Sequence, residues 1–311
     1  MLFTQSTIQK IKSEISKIVI NQEQLTDMSL IAMLCGGHVL IEGVPGLAKT
    51  LWVKTLAATL DVDCKRVQFT SDLMPSDILG TKIFDAQRSE FALRRGPLFT
   101  NLFLADEINR TPPKTQSALL EVMEERSITI DGDTTRLAEP FIVFATQNPI
   151  EYEGTYPLPE ALTDRFMMKI STTYPGVAAE REILHMHDTG AIHQKPDKVC
   201  TALDIARCRE EIAAVKVDDS IYDYIVTIIE FTRRTQAVQV GASPRGSIAL
   251  LLCAKASAAV SGRDFVIPED IRDIALPILR HRILLKPEAE IDGVKPDQVI
   301  ESIMGQIKVP R

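Results

Sequence analysis

The chain has 311 residues, 45% of them hydrophobic and 25% charged, and a formal net charge of -7. That length accommodates two domains, or one large one, with an ample core, and the composition is that of an ordinary soluble globular protein. The acidic balance argues against broad attraction to nucleic acid or to anionic membrane surfaces and leaves only a local basic strip as a route to either.

Five scattered cysteines (Cys35, Cys64, Cys200, Cys208 and Cys253) are odd in number, and Cys35 and Cys253 have apolar neighbours. Reduced core thiols and a cytoplasmic location are therefore expected. The N-terminus lacks the basic start and apolar core of a signal peptide. No uncharged apolar run approaches the ~18 residues of a membrane span, so no transmembrane helix is expected.

Ile8, Ile11, Ile15 and Ile18 recur at helical spacing, and a second helix runs from about Gln22 to Cys35 before Gly36-Gly37 stops it. The apolar run Val39-Leu40-Ile41 then leads into Gly43-Val44-Pro45-Gly46-Leu47-Ala48-Lys49-Thr50, which opens a helix over 51–60. Strand, Gly-rich turn, Lys-Thr and helix is an arrangement that cradles nucleotide phosphates. Backbone N–H groups wrap the phosphates, Lys49 sits on the outer pair and Thr50 reaches the magnesium. A plain Gly-Pro turn between strand and helix is the alternative. Ala48 stands where the general pattern has Gly, and a negative φ is expected there because a positive one costs roughly 1 kcal/mol.

A short strand is predicted at Arg66–Phe69 and a helical turn at Ser76–Gly80. Lys82–Phe84 and Phe91–Leu93 flank a polar tip and predict a projecting hairpin that carries Lys82, Arg88, Arg94 and Arg95. Leu102–Ala105 is continuously apolar, as in a parallel strand covered on both faces, and it ends in Asp106-Glu107. Two carboxylates there need a cation. A magnesium ion near Thr50 would supply it, with Asp106 holding its water shell and Glu107 activating the attacking water. A helix N-terminal acid pair is the other reading, since a helix over Lys114–Glu125 follows.

Ser127–Ile130 and Thr134–Arg136 around Asp131-Gly132 predict a second hairpin. The strand Phe141–Ala145 ends in Thr146-Gln147-Asn148-Pro149, where ligands of open α/β sheets bind. Asn148 can contact the terminal phosphate or the attacking water, or it can cap the turn before Pro149. A short helix over Pro159–Asp164 precedes Arg165-Phe166 and the strand Met167–Ile170. Beyond Ser171 helices dominate, over 178–186, 202–215, 220–235, 246–261, 268–282 and 296–307, and predict a compact bundle. His185, His187 and His193 lack metal-ligand spacing, Asp131 and Asp133 lack the rest of a calcium loop, and no nucleophile elbow surrounds any Ser.

Several stretches together resemble the MoxR family of AAA+ ATPases. They are Glu42–Thr50, Gln68–Thr70, Leu73–Ile78, Gly96-Pro97, Leu104–Glu121, Met123–Arg126, Ala145–Ile150, Glu153–Glu160, Asp164–Phe166, Gly241–Arg245 and Ala275–Arg282. Asn21-Gln22 departs from the family's usual Gly-Gln and is expected to lie away from the phosphates.

The resemblance implies an α/β fold: an AAA+ P-loop αβα core with a parallel sheet over residues 1–171, hairpin insertions near 81–95 and 127–138, and a C-terminal helical lid domain over 172–311. It makes Gly43–Thr50 the Walker A loop, Asp106-Glu107 the Walker B acids and Asn148 sensor 1. Arg165 becomes the arginine finger that reaches a neighbouring subunit's γ-phosphate, and Arg245 the sensor-2 arginine. ATP and Mg2+ are the implied cofactors. A homo-oligomeric ring, typically of six subunits, is the implied assembly, and protein clients, including von Willebrand A domain proteins or targets of metal-cofactor insertion, are the implied partners. A nucleic-acid motor with Lys82, Arg88, Arg94, Arg95 and Arg136 lining a pore is the alternative, and a nucleotide-dependent scaffold without useful turnover is a third.

Overall fold

The structure is a computed structural model and describes residues 2–44, 46–87, 89–148, 154–190 and 194–310. Pro45, Arg88, Pro149, Ile150, Glu153 and His193, each named above, lie outside the described residues.

The N-terminal periodicity produces α1 (Phe3–Ser16), which buries Ile8, Ile11 and Ile15, and α2 (Glu23–Leu34). Gly36, left-handed at φ 70°, stops the second helix. The central part then runs β1 (His38–Glu42), α3 (Lys49–Thr59), β2 (Cys64–Gln68), α4 (Pro75–Leu79), β3 (Gly80–Asp85) and β4 (Glu90–Arg95). It continues through β5 (Leu102–Asp106), a 3-10 turn at Ile108–Arg110, α5 (Pro113–Glu125), β6 (Ser127–Ile130), β7 (Asp133–Arg136), β8 (Ile142–Gln147), α6 (Glu160–Thr163) and β9 (Phe166–Ser171).

Five strands form one parallel sheet in the order β2-β5-β8-β1-β9. The apolar runs of the three inner strands β1, β5 and β8 have the expected cause, because those strands are covered on both faces, whereas the edge strand β2 is half-exposed. Val39, Ile41, Leu104 and Phe144 join one apolar cluster, and their neighbours Leu40, Phe103, Ala105 and Val143 join the other. β3–β4 and β6–β7 are separate antiparallel hairpins, and Lys82 of the first pairs with Asp133 of the second at 2.6 Å. Asp131 and Gly132 both take positive φ, 49° and 85°, as an Asp-Gly hairpin turn requires.

The C-terminal part comprises α7 (Val177–Asp188), α8 (Ala202–Ala213), α9 (Asp219–Arg234), β10 (Val238–Val240), α10 (Pro244–Val260), α11 (Pro268–Leu279), β11 (Leu284–Leu285), α12 (Pro287–Ile291) and α13 (Pro296–Gln306). Several features depart from the sequence-based expectations. The helix predicted over 268–282 ends at Leu279, because Arg282 turns back to bind Asp164 and the carbonyls of Phe166 and Met167. The β10–β11 ribbon and α12 were not foreseen, being too short for a periodic signal. Helix α7 does not join a bundle core, for none of its residues is buried. The apolar core is also continuous across the expected division after Ser171: Ile8, Ile11 and Leu30 cluster with Ile205, Leu250 and Ala254.

His38 locks β1 in place. Its ring accepts the Val143 N–H at Nδ1 (3.0 Å) and Nε2 faces the Met123 carbonyl oxygen (3.0 Å), so the neutral imidazole donates from Nε2 and ties β8 to α5.

Candidate functional site

Parallel register brings the chemistry to one edge. Gln68 of β2 lies opposite Asp106 of β5, and Glu42 of β1 opposite Gln147 of β8, so the C-terminal ends of four strands converge. The loop after β1, the acids after β5 and Asn148 after β8 line a single pocket of about 480 Å³ that includes Gly43, Gly46, Leu47, Ala48, Lys49 and Thr50. Val44 belongs to the same loop and is half-buried.

Two glycines make the loop possible for different reasons. A Cβ on Gly43 would stand 2.0 Å from Thr172 Oγ1, whereas Gly46 meets nothing but takes φ 86°. The expectation for Ala48 is overturned: it is left-handed, at φ 54° and ψ 19°, immediately before the first helical residue. A left-handed residue here turns successive N–H groups toward one side, which is the geometry of an anion-binding nest. The strain of a non-Gly residue at a ligand-cradling position is the kind that surrounding structure sustains at functional sites.

Lys49 Nζ donates to the Gly43 carbonyl at 2.6 Å. Burial pulls its pKa below the ordinary lysine value, while Asp106, Glu107 and Glu42 act to raise it. Thr146 Oγ1 donates to Asp106 Oδ1 at 2.5 Å and accepts the Glu107 N–H at 2.9 Å. Arg66 donates to Asp106 Oδ2 from Nε (3.0 Å) and Nη2 (2.7 Å), and Gln68 donates to Glu107 Oε2 at 2.6 Å. Arg110 lies 2.8 Å from the same Glu107 oxygen. The acids are thus met by two arginines that sequence reading had not assigned. Glu107 is itself left-handed at φ 57°, so both the loop and the acid pair store backbone strain. Thr50 and Asp106 contribute a hydroxyl and a carboxylate to this pocket, hard oxygen donors of the kind magnesium takes.

Arg165 and Arg245 do not line this pocket. They lie together in a second one of about 210 Å³, with Asp164, Arg282 and Glu124 among its walls. Glu124 bridges the pair, with Oε2 2.5 Å from Arg165 and Oε1 3.1 Å from Arg245. Arg282, nearly buried, pairs with Asp164 at 3.0 Å, and Ser243 Oγ donates to the same carboxylate. Glu124 and Asp164 stood in stretches that carried the family resemblance, but nothing local indicated that they would face arginines.

A third, apolar pocket of about 110 Å³ adjoins the 43–50 loop, lined by Ile18, Val19, Ile20, Leu47, Ile183 and Met186. Gln22 also lines it, together with Gly46 and Ala48, so this residue of the Asn21-Gln22 pair stands beside the 43–50 loop. Asn21 takes φ 57°, which explains why glycine suits that position. His185 and His187, on α7, are exposed.

The family model described as ATPase family associated with various cellular activities (AAA) matches residues 38–168, and that of the AAA lid domain matches 230–303. Chaperone MoxR1 of Mycobacterium tuberculosis is 42% identical over 98% of this chain and 83% of its own length. Uncharacterized protein YeaC of Bacillus subtilis is 47% identical over 97% of this chain and 94% of its own. Protein MoxR of Methylorubrum extorquens is 30% identical, with 97% and 94% covered. A solved structure of a candidate ATPase from Cytophaga hutchinsonii superposes with a TM-score of 0.93 at 43% identity, over 99% of this chain and 96% of that one.

Proposed function

Since the chain belongs to the MoxR family of AAA+ ATPases, we propose that its ATP hydrolysis takes place at the boundary between two subunits of a ring and drives the remodelling or maturation of protein clients. The observation that carries this reading is the division of the site. Lys49, Thr50, Asp106, Glu107 and Asn148 share one pocket, and Arg165 and Arg245 share another that has no lining residue in common with it.

In this reading the 43–50 loop and Lys49 hold the phosphates, and the apolar pocket between Ile18–Gln22 and α7 seats the base. Thr50 and Asp106 would hold magnesium, which neutralises phosphate charge when bound. Glu107 takes a proton from the attacking water at its carboxylate, while Asn148 orients that water or the terminal phosphate. Arg165, acting in trans, meets the charge that develops on a neighbour's γ-phosphate, a contribution worth roughly 10³–10⁵ in rate. Arg245 serves the same neighbour, because its guanidinium lies against Glu124 beside Arg165. Residues 1–171 form the ATPase core and 172–311 the lid. Six subunits are the expected count and the cytoplasm the expected location; among the described residues no helix is long and apolar enough to cross a membrane.

Protein clients, with von Willebrand A domain proteins as one class and metal-cofactor insertion as one outcome, are favoured over nucleic acid by the β3–β4 hairpin. Its exposed Phe84 and Phe91 stack edge to face at 5.4 Å, while Lys82 is neutralised by Asp133 and Arg95 lies over Phe99. The test is turnover per subunit against protein concentration, for wild type and Arg165→Ala. Wild-type turnover should rise with assembly, and the variant should stay low while still binding ATP. Full turnover by a monomer sinks the reading.

A further inference from the structure

We propose that Glu124 is the positioning residue that holds Arg165 and Arg245 side by side as a two-arginine clamp for the neighbouring subunit's nucleotide; this rests on the trans reading above. Two guanidiniums placed in one pocket repel each other and would splay toward solvent unless an anion stood between them. Glu124 is that anion, and its two oxygens are divided one to each arginine. Its helix fixes the position further. Leu120, one turn earlier on α5, accepts a hydrogen bond from Arg165 Nη1 at 3.3 Å, and Arg126 just beyond the helix end donates to the Gly36 carbonyl at 2.8 Å. The last turn of α5 is therefore pinned, and the carboxylate it presents sets where both arginines point.

Stability is not what the contact supplies. Glu124 and Arg245 keep 41% and 50% of their side-chain surface exposed, so that ion pair contributes little to folding, and on the other side Arg165, 21% exposed, also donates to the Leu120 carbonyl and does not depend on Glu124 alone for its place. Nor is Glu124 the only partner available for anchoring, since Asp164 is already held by Arg282 and lies 4.0 Å from Arg245. What Glu124 alone does among the described contacts is join the two arginines to each other.

The experiment uses mixed assemblies of the full chain. Glu124→Ala by itself should melt near the wild-type temperature and bind ATP normally in its own loop. Its kcat should fall by roughly 10- to 100-fold, the cost of misplacing a group that must meet a developing charge, with KM for ATP little changed. Mixed with Lys49→Ala subunits, which keep their arginines but cannot grip phosphate, it should regain turnover above the sum of the two alone. The recovery is expected because Glu124→Ala nucleotide pockets would then face intact clamps. An Arg165→Ala and Lys49→Ala mixture is run in parallel. If that control recovers and the Glu124→Ala mixture does not, Glu124 does not act through the arginines and the proposal is overturned. If neither recovers, the trans reading fails and takes the proposal with it. Wild-type kcat in Glu124→Ala alone overturns it as well.

Discussion

The guanidinium of Arg66, on β2, grips Oδ2 of Asp106, on β5, with two hydrogen bonds of 3.0 and 2.7 Å. A cation and a proposed magnesium-holding carboxylate are thus in direct contact, and Nη2 of the same arginine also donates to Gln68, which reaches Glu107. Two cations cannot use one carboxylate oxygen at full strength. Arg66→Gln should therefore lower the Mg2+ concentration needed for half-maximal binding of a fluorescent ATP analogue. An unchanged or higher requirement would show that Arg66 and the metal do not compete.

Glu107 faces Gln68 and Arg110 and carries strained backbone, an arrangement that aims one carboxylate and leaves no role for it in gripping phosphate. Glu107→Gln should bind Mg-ATP with near wild-type affinity and turn it over roughly 10²–10⁴-fold more slowly. Near-normal turnover, measured by phosphate release at saturating ATP, would remove Glu107 from the proton-transfer role.

Ala48 sits at φ 54°, where a β-branched side chain is more strained than alanine and glycine is unstrained. Ala48→Val should cost about 1–2 kcal/mol in denaturant unfolding, and Ala48→Gly should be neutral or mildly stabilising. Equal stability of the valine and glycine variants would contradict the left-handed geometry.

Burial holds the His38 pKa at about 4, against an ordinary value of 6.5, with its contact to the Met123 carbonyl working in the opposite direction. Between those pH values the unfolded chain binds the proton and the folded chain does not. Stability should thus be full above pH 6.5 and fall as the pH drops toward 4, by at most on the order of 3 kcal/mol from this residue. His281, whose pKa burial also lowers, adds in the same direction. The measurement is unfolding free energy against pH for wild type and His38→Asn; an equally steep acid slope in the variant would locate the effect elsewhere.

Local chemistry was legible because it is written locally. The 43–50 loop, the acids ending an apolar strand, the Asp131-Gly132 turn and the isoleucine stripe of α1 each carry their signal within a few residues, and the structure places each where its spacing implies. Helix α7 shows the limit of that kind of reading. Its pattern is amphipathic, but a periodic apolar face says nothing about whether anything covers it, and within this chain it buries no residue. The left-handed φ of Ala48 was hidden for a related reason: side-chain identity gives the local preference of a residue, and the surrounding loop overrode it.

The amino-acid sequence by itself determined the family, the parallel α/β core and the residues that meet in one pocket at the C-terminal ends of the strands, because a tight turn between strand and helix needs particular residues at consecutive positions. Only the tertiary structure decided that Arg66 would lie on Asp106, that Gln22 would stand beside the 43–50 loop, and that Glu124 would join Arg165 to Arg245 in a pocket apart from Lys49. Those partners lie far apart along the chain and come from different elements. Their meeting depends on strand order and on helix docking through a continuous apolar core, and neither leaves a periodic mark around the residues concerned.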